Sequence, residues 1–168
     1  VHMDLFEEAC KFRAGRRLWA KLLRERHGVT DEKALHFRFG VVCGGSSLVA
    51  AQPYNNIVRV AIENVAAVLG GAQSIFTCAF DEAFQIPTEF SAEIAVRTQQ
   101  MIAYESGIGR SVDPLGGAYA VEAATERAGV QFVQHPLMAW RRDEVAAVER
   151  FDRPGDGVAD RIGDLAGE

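Results

Sequence analysis

No stretch of this sequence stays apolar for the ~20 residues a helix needs to cross a bilayer, and no secretory leader is recognisable at its start. Cysteine is scarce. Cys10, Cys43 and Cys78 are an odd number with no Cys-x-x-Cys spacing, which argues against a disulfide framework and a cysteine-based zinc site and points to a reducing cytoplasm. Positive charge is short as well: 18 Lys and Arg stand against 23 Asp and Glu, a net charge of −5. Nucleic-acid surfaces and polybasic membrane patches need the opposite balance. Val1 and His2, ahead of Met3, read as a leader foreign to the fold and are set aside.

What is present is ordinary globular material. Apolar residues make up 48% of 168, enough for one domain with its own core. Residues 4–27 predict a helix, because Leu5, Ala9, Phe12, Gly15, Trp19 and Leu22 recur at spacings of three and four. Arg13, Arg16, Arg17, Lys21 and Arg24 read as its solvated flank, and Gly28 stops it. Residues 34–45 predict a first strand ending in Gly44 and Gly45. A helix over about 54–69 is apolar round more than one face and should be covered on two sides. Residues 72–79 predict a second strand. Thr88 caps a helix over about 89–106 that closes at Gly107. Residues 113–128 start as a turn and continue as a short helix. From Gly129 the chain becomes rich in Gly and Asp, with a short exposed helix in "RRDEVAAVERF" and a mobile end. The expected organisation is a domain over 4–128 followed by a divergent, partly disordered tail over 129–168. Alternating helices and strands imply parallel pairing, and a two-stranded parallel sheet leaves edges that something must cover.

Several residues offer chemistry. Parallel strands keep their chemistry in the loops at their C-terminal ends, and "GAQSIFTCAFDEAFQIP" is such a loop. Its Asp81 and Glu82 are adjacent and point apart, so they are no paired-carboxylate site; Asp81 is expected to cap the turn. His36 and Arg38 alternate along one face of the first strand, where proton transfer or anion binding is possible. Cys43 lies in a flexible glycine loop without an activating base. Asn55 and Asn56, after Tyr54, cap a helix and satisfy loop backbone. Turn geometry accounts for Asp113 to Gly117.

The segments "FEEACKFRAGRRLWAKLLRERHG", "SSLVAAQPYNNIVRVAIENVAAVLGGAQSIFTCAFDEAFQIPTE", "AVRTQQMIAYESGI" and "VDPLGGAYAVEAAT" closely resemble the acyl-CoA mutase family typified by the large subunit of methylmalonyl-CoA mutase. The resemblance runs over residues 5–127. It implies the C-terminal part of a (β/α)8 barrel that binds an acyl-CoA along its axis, with adenosylcobalamin against the C-terminal mouth supplying a radical. A full barrel needs ~250 residues, so about the last quarter is represented. The family's earlier strands, with their thioester-contacting Tyr, Arg and His, have no counterpart here, and neither does its Asp-x-His-x-x-Gly cobalamin motif. Where the family strand reads His-x-Gln-x-x-Gly, "GVVCGG" puts Gly40 at the His and Val42 at the Gln. Val42 has no hydrogen-bonding group, and a polar substrate group buried against it costs roughly 1–3 kcal/mol. By position Gly45, Glu82 and Gln85 match residues near the corrin.

The expected fold is therefore α/β: a partial (β/α)8-barrel fragment, helix-rich, with a small parallel sheet completed by oligomerisation. The expected protein is a truncated mutase-like isomerase without its own cobalamin chemistry. It is either a repurposed, cobalamin-independent biosynthetic enzyme for an acyl-CoA or carrier-bound acyl group, or a non-catalytic subunit that pairs with itself or with a mutase-like chain. His36, Arg38, Tyr54 and Glu82 are the catalytic candidates of the first reading. No cofactor is expected, adenosylcobalamin entering by resemblance alone, and neither metal, nucleic acid nor membrane is expected as a partner.

Overall fold

The computed structural model describes residues 1–134. The chain divides into two units, residues 1–129 and 130–168. The expected short helix and mobile end beyond residue 134 lie outside the described residues.

Helix α1 spans Leu5–His27. Asp4 caps it by accepting from the Glu7 amide at 3.0 Å, and Gly28, at φ 63°, ends it in the left-handed region that an L side chain resists. Strand β1 is Gly40–Val42, α2 is Pro53–Gly70, β2 is Ser74–Phe76, α3 is Glu89–Tyr104 and α4 is Tyr119–Gln134. Thr88 and Ser91 form a reciprocal capping box at the start of α3. β1 and β2 pair in parallel, with Val41 beside Ile75 and Val42 beside Phe76. This is the small parallel sheet in a helix-rich chain that the sequence predicts.

Helix α2 is the centre of the unit. It packs against both α1 and α3, as its all-round apolar sequence requires. Val60 meets Cys43 and Cys78 at the strand ends, with Leu48 and Ile75 packed on them. Phe12 of α1 lies where a Cβ on Gly70 would stand, 2.7 Å from its Cδ2, so close packing of α1 on α2 requires glycine there. Ring stacking continues the α1 contact: Phe12 on Phe39, Phe39 on Phe37 and Phe37 on Trp19, with centroids 5.3, 4.9 and 5.2 Å apart.

The structure corrects five local expectations. Both strands are shorter than predicted. At the start of β1 the Gln73 side chain, not a backbone carbonyl, accepts from the Phe39 amide at 2.7 Å, and the ladder begins only at Gly40. His36 and Arg38 are therefore off the strand, exposed in the bend before it. α4 runs through Gly129 to Gln134, since one helical glycine costs only about 1 kcal/mol and does not terminate a helix without a capping conformation. Arg13 is not solvated flank: it is buried, ion-paired with Asp113 and with Glu122 at 2.6 Å. Val1 is not extraneous: its amino group donates to the Val42 carbonyl at 2.8 Å and its carbonyl accepts from Gly44 at 2.7 Å. Those two bonds are the pattern of a parallel strand on the outer edge of β1.

Candidate functional site

The C-terminal ends of β1 and β2 form a rim, and buried polar groups from α2 and α3 hold it. Asn56 is fully buried. Its Oδ1 accepts from the Val49 amide at 2.9 Å, and its Nδ2 donates to the carbonyls of Val49 at 3.2 Å and Phe80 at 2.8 Å. It ties the loop after β1 to the loop after β2 and is not a helix cap; the N-cap position, Gln52, makes no side-chain cap bond. Glu63, with no exposed surface, accepts from the Gly44 amide through Oε2 at 3.0 Å. Asn64 accepts from the Thr77 hydroxyl at 3.0 Å. Gln99 reaches across from α3 and donates to the Ile75 carbonyl at 3.0 Å and to Thr77 Oγ1 at 2.5 Å. The sequence reading missed Glu63, Asn64 and Gln99. A signal existed for two of them: 56, 60, 63, 64 and 67 fall on one helical face, so polar residues there sit in the same stripe as core Val60 and Ala67.

Asp81 does the turn work expected of it. It is buried, and its Oδ2 accepts from the Gln85 amide at 2.8 Å and from the Thr88 backbone at 3.3 Å. Burial alone pushes its pKa up, but the hydrogen bonds from Gln85, Ser91 and Thr88 outweigh that and hold it below the ordinary carboxylate value. Glu82 is half-buried, and its Oε1 accepts from the Ala79 amide at 2.6 Å. It stands on the wall of an apolar cavity between β2 and α3 that Ile75, Ala95, Val96 and Gln99 also line. Tyr54 is largely exposed, its ring 5.7 Å from that of Phe80. Gly45 opens a short 3-10 turn, and nothing lies within 4 Å of where its Cβ would be.

Cys43 is core and not a flexible-loop thiol. Burial first, and the neighbouring Glu63 charge second, push its pKa up to about 12. Cys78 is likewise pushed up to about 12 by burial and by Glu82. Neither offers a thiolate near neutral pH. His36 and Arg38 precede β1, at the other end of the sheet from Gly45 and Glu82. They line an open depression with Trp19 and Lys33. The four catalytic candidates thus divide among three places: His36 with Arg38, Glu82 in its apolar cavity, and Tyr54 on the surface.

The sheet has one further feature of consequence. Gly40, Val42, Ser74 and Phe76 share the face away from the helices, and all four are exposed. Val42 and Phe76, directly paired, leave 58% and 62% of their surfaces in solvent. Gly40 and Val42 are on that face. The whole arrangement is a helix-backed pair of parallel strands with an uncovered inner surface.

Comparison with known proteins agrees. The family model described as methylmalonyl-CoA mutase matches residues 1–135. The chain belongs to the methylmalonyl-CoA mutase family. It is 48% identical over 122 residues to the 2-hydroxyisobutanoyl-CoA mutase large subunit of Aquincola tertiaricarbonis, an alignment covering 73% of this chain and 22% of that one. It is 48% identical over 125 residues to the mitochondrial methylmalonyl-CoA mutase of Homo sapiens, covering 74% and 17%. With the methylmalonyl-CoA mutase of Escherichia coli it shares 46% over 127 residues, covering 76% and 18%. The chain therefore spans a small fraction of the length of these mutases.

Proposed function

We propose that this chain furnishes two neighbouring strands of an acyl-CoA mutase barrel, covers its exposed sheet by pairing with copies of itself, and takes part in acyl-thioester isomerisation only when a mutase-like partner supplies further strands. One observation carries the reading: the paired, exposed Val42 and Phe76 on the face away from the helices. Apolar groups that large are stable in water only at a cost of about 25 cal/mol per Å² left uncovered, and the same face of a closed barrel is its packed interior.

The groups on the rim do not make a corrin site by themselves. Of the three positions that resemblance sets against adenosylcobalamin, Gly45 is open, and Glu82 Oε1 and Gln85 Nε2 each make one hydrogen bond inside the protein, with the Ala79 amide and with Asp81. No step is assigned here to that cofactor. The chain alone, mixed with methylmalonyl-CoA and adenosylcobalamin, should form no succinyl-CoA, and it should sediment as a species larger than one chain at micromolar concentration. Turnover by a monomer ends the proposal.

The other reading is a cobalamin-independent enzyme acting on an acyl-CoA or carrier-bound acyl group. It draws on Glu82, a carboxylate beside an apolar cavity of about 190 Å³, where a general base would have a dry surrounding. It gains no support from His36, Arg38 or Tyr54, which lie elsewhere. Glu82→Gln separates the two: it abolishes turnover of a screened acyl thioester if Glu82 is the base, and leaves assembly untouched.

A further inference from the structure

Away from the rim, between α1 and the segment entering β1, Trp19, Lys33, Ala34, His36, Phe37 and Arg38 line a depression of about 460 Å³. We propose that it binds a phosphate-bearing ligand with a planar ring, a nucleotide in chemical class. This does not depend on barrel completion.

The first ground is charge. In a chain of net charge −5, the side chains of Lys33, His36 and Arg38 make no hydrogen bond or ion pair with any described residue. Of the two acids in this stretch, one is ion-paired and the other caps backbone. Glu32 pairs with Arg24 at 3.1 Å, and Asp31 Oδ1 accepts from the Lys33 backbone amide at 3.1 Å. An oxyanion in a hollow lined by two permanent cations and an imidazole gains attraction from each. A guanidinium fits two phosphate oxygens at once, and an ammonium adds a point charge.

The second ground is the fixed aromatic wall. Trp19 Nε1 donates to the Ala34 carbonyl at 3.0 Å, and its ring stacks on Phe37. The indole is pinned from two directions yet remains 40% exposed. A buried tryptophan would need no explanation; a rigid, half-open one beside unpaired cations offers a stacking surface to a flat ring. The hollow is an open depression, wide enough for a flat ring and a phosphate, that leaves part of a bound ligand in water.

The test is calorimetric titration of the full chain with ADP, with adenosine and with inorganic pyrophosphate. ADP should bind saturably at one site. Arg38→Ala and Lys33→Ala should each weaken it about tenfold, the loss of one charge-assisted contact. Both positions are exposed, so both variants should keep the parent's melting curve. Adenosine and pyrophosphate, each carrying half of the recognised chemistry, should bind more weakly than ADP. The proposal is overturned if ADP does not saturate at millimolar concentration, if the folded variants bind like the parent, or if either half-ligand matches ADP.

Discussion

Single buried side chains decide the shape of the rim. Asn56 satisfies the Val49 amide and the Phe80 carbonyl and shares the Val49 carbonyl with the Gln52 amide, and truncation would strand the first two in the interior. Asn56→Ala should destabilise by about 2–3 kcal/mol in urea unfolding, while Asn55→Ala next to it, at an exposed position, should change little. The thiols make a separate prediction. All three cysteines are buried, and Cys43 and Cys78 are held as thiols by pKa values of about 12. Labelling with a thiol reagent at pH 8 should be slow in the native state at both positions and fast after unfolding. Rapid native modification of Cys43 would contradict its place in the core. Asp81 sets a pH dependence. Its folded pKa lies below the ordinary 3.8, so its contribution is fully present above that value and is lost as pH falls through the lower, folded one. The acid limb of the stability curve should therefore be steeper below about pH 4 for the parent than for Asp81→Asn.

At the scale of elements, local chemistry and tertiary contact divide the work. The helices announce themselves. Asp4, Gly28 and Thr88 stand where capping requires them, and the structure uses each one. Thr88→Ala removes one half of the box at α3 and should cost about 1 kcal/mol, with Thr88→Ser restoring most of it; equal melting curves for all three would mean the box contributes nothing. The strands were harder to bound. Their apolar runs cover 34–45 and 72–79, but hydrogen bonding allows only three residues each, because Gln73 diverts the backbone at one end and the Asn56 and Glu63 anchors pull the loops away at the other. Sequence periodicity cannot report a side chain that substitutes for a ladder carbonyl. Arg13 is the same lesson in charge: it sits in a basic run, and only the return of Asp113 and Glu122 to α1 makes it a buried ion pair.

For the molecule as a whole, the uncovered sheet face governs behaviour. Phe76 is exposed in the single chain and makes no ring stack with a described aromatic residue, so Phe76→Lys should leave the fold intact and shift a larger assembly toward monomer in sedimentation. An unchanged assembly would place the contact surface elsewhere. Restoring the family residue at Gly40 is not a simple reversal: a Cβ there runs into Ser74 Oγ on the paired strand, so Gly40→His requires the serine to turn away, and Gly40→His with Ser74→Ala should be more stable than Gly40→His alone. No helix among the described residues is long and apolar enough to cross a membrane, and exposed apolar groups occur both on the sheet face, at Val42 and Phe76, and on the helices, at Phe6, Val58, Phe90 and Met101.

The sequence alone determined the helices, the caps at Gly28 and Thr88, the parallel order and the family, because these rest on short-range spacing and on long ordered stretches of matching residues. Only the tertiary structure decided which polar residues are interior, since Glu63, Asn64 and Gln99 look like ordinary helix-surface residues until β1 and β2 are laid against them. It alone separated His36 and Arg38 from Glu82, by setting them at opposite ends of one short sheet. A linear chain carries the identity of each group but not the direction in which folding turns it, and the direction is what makes a cluster of residues a site.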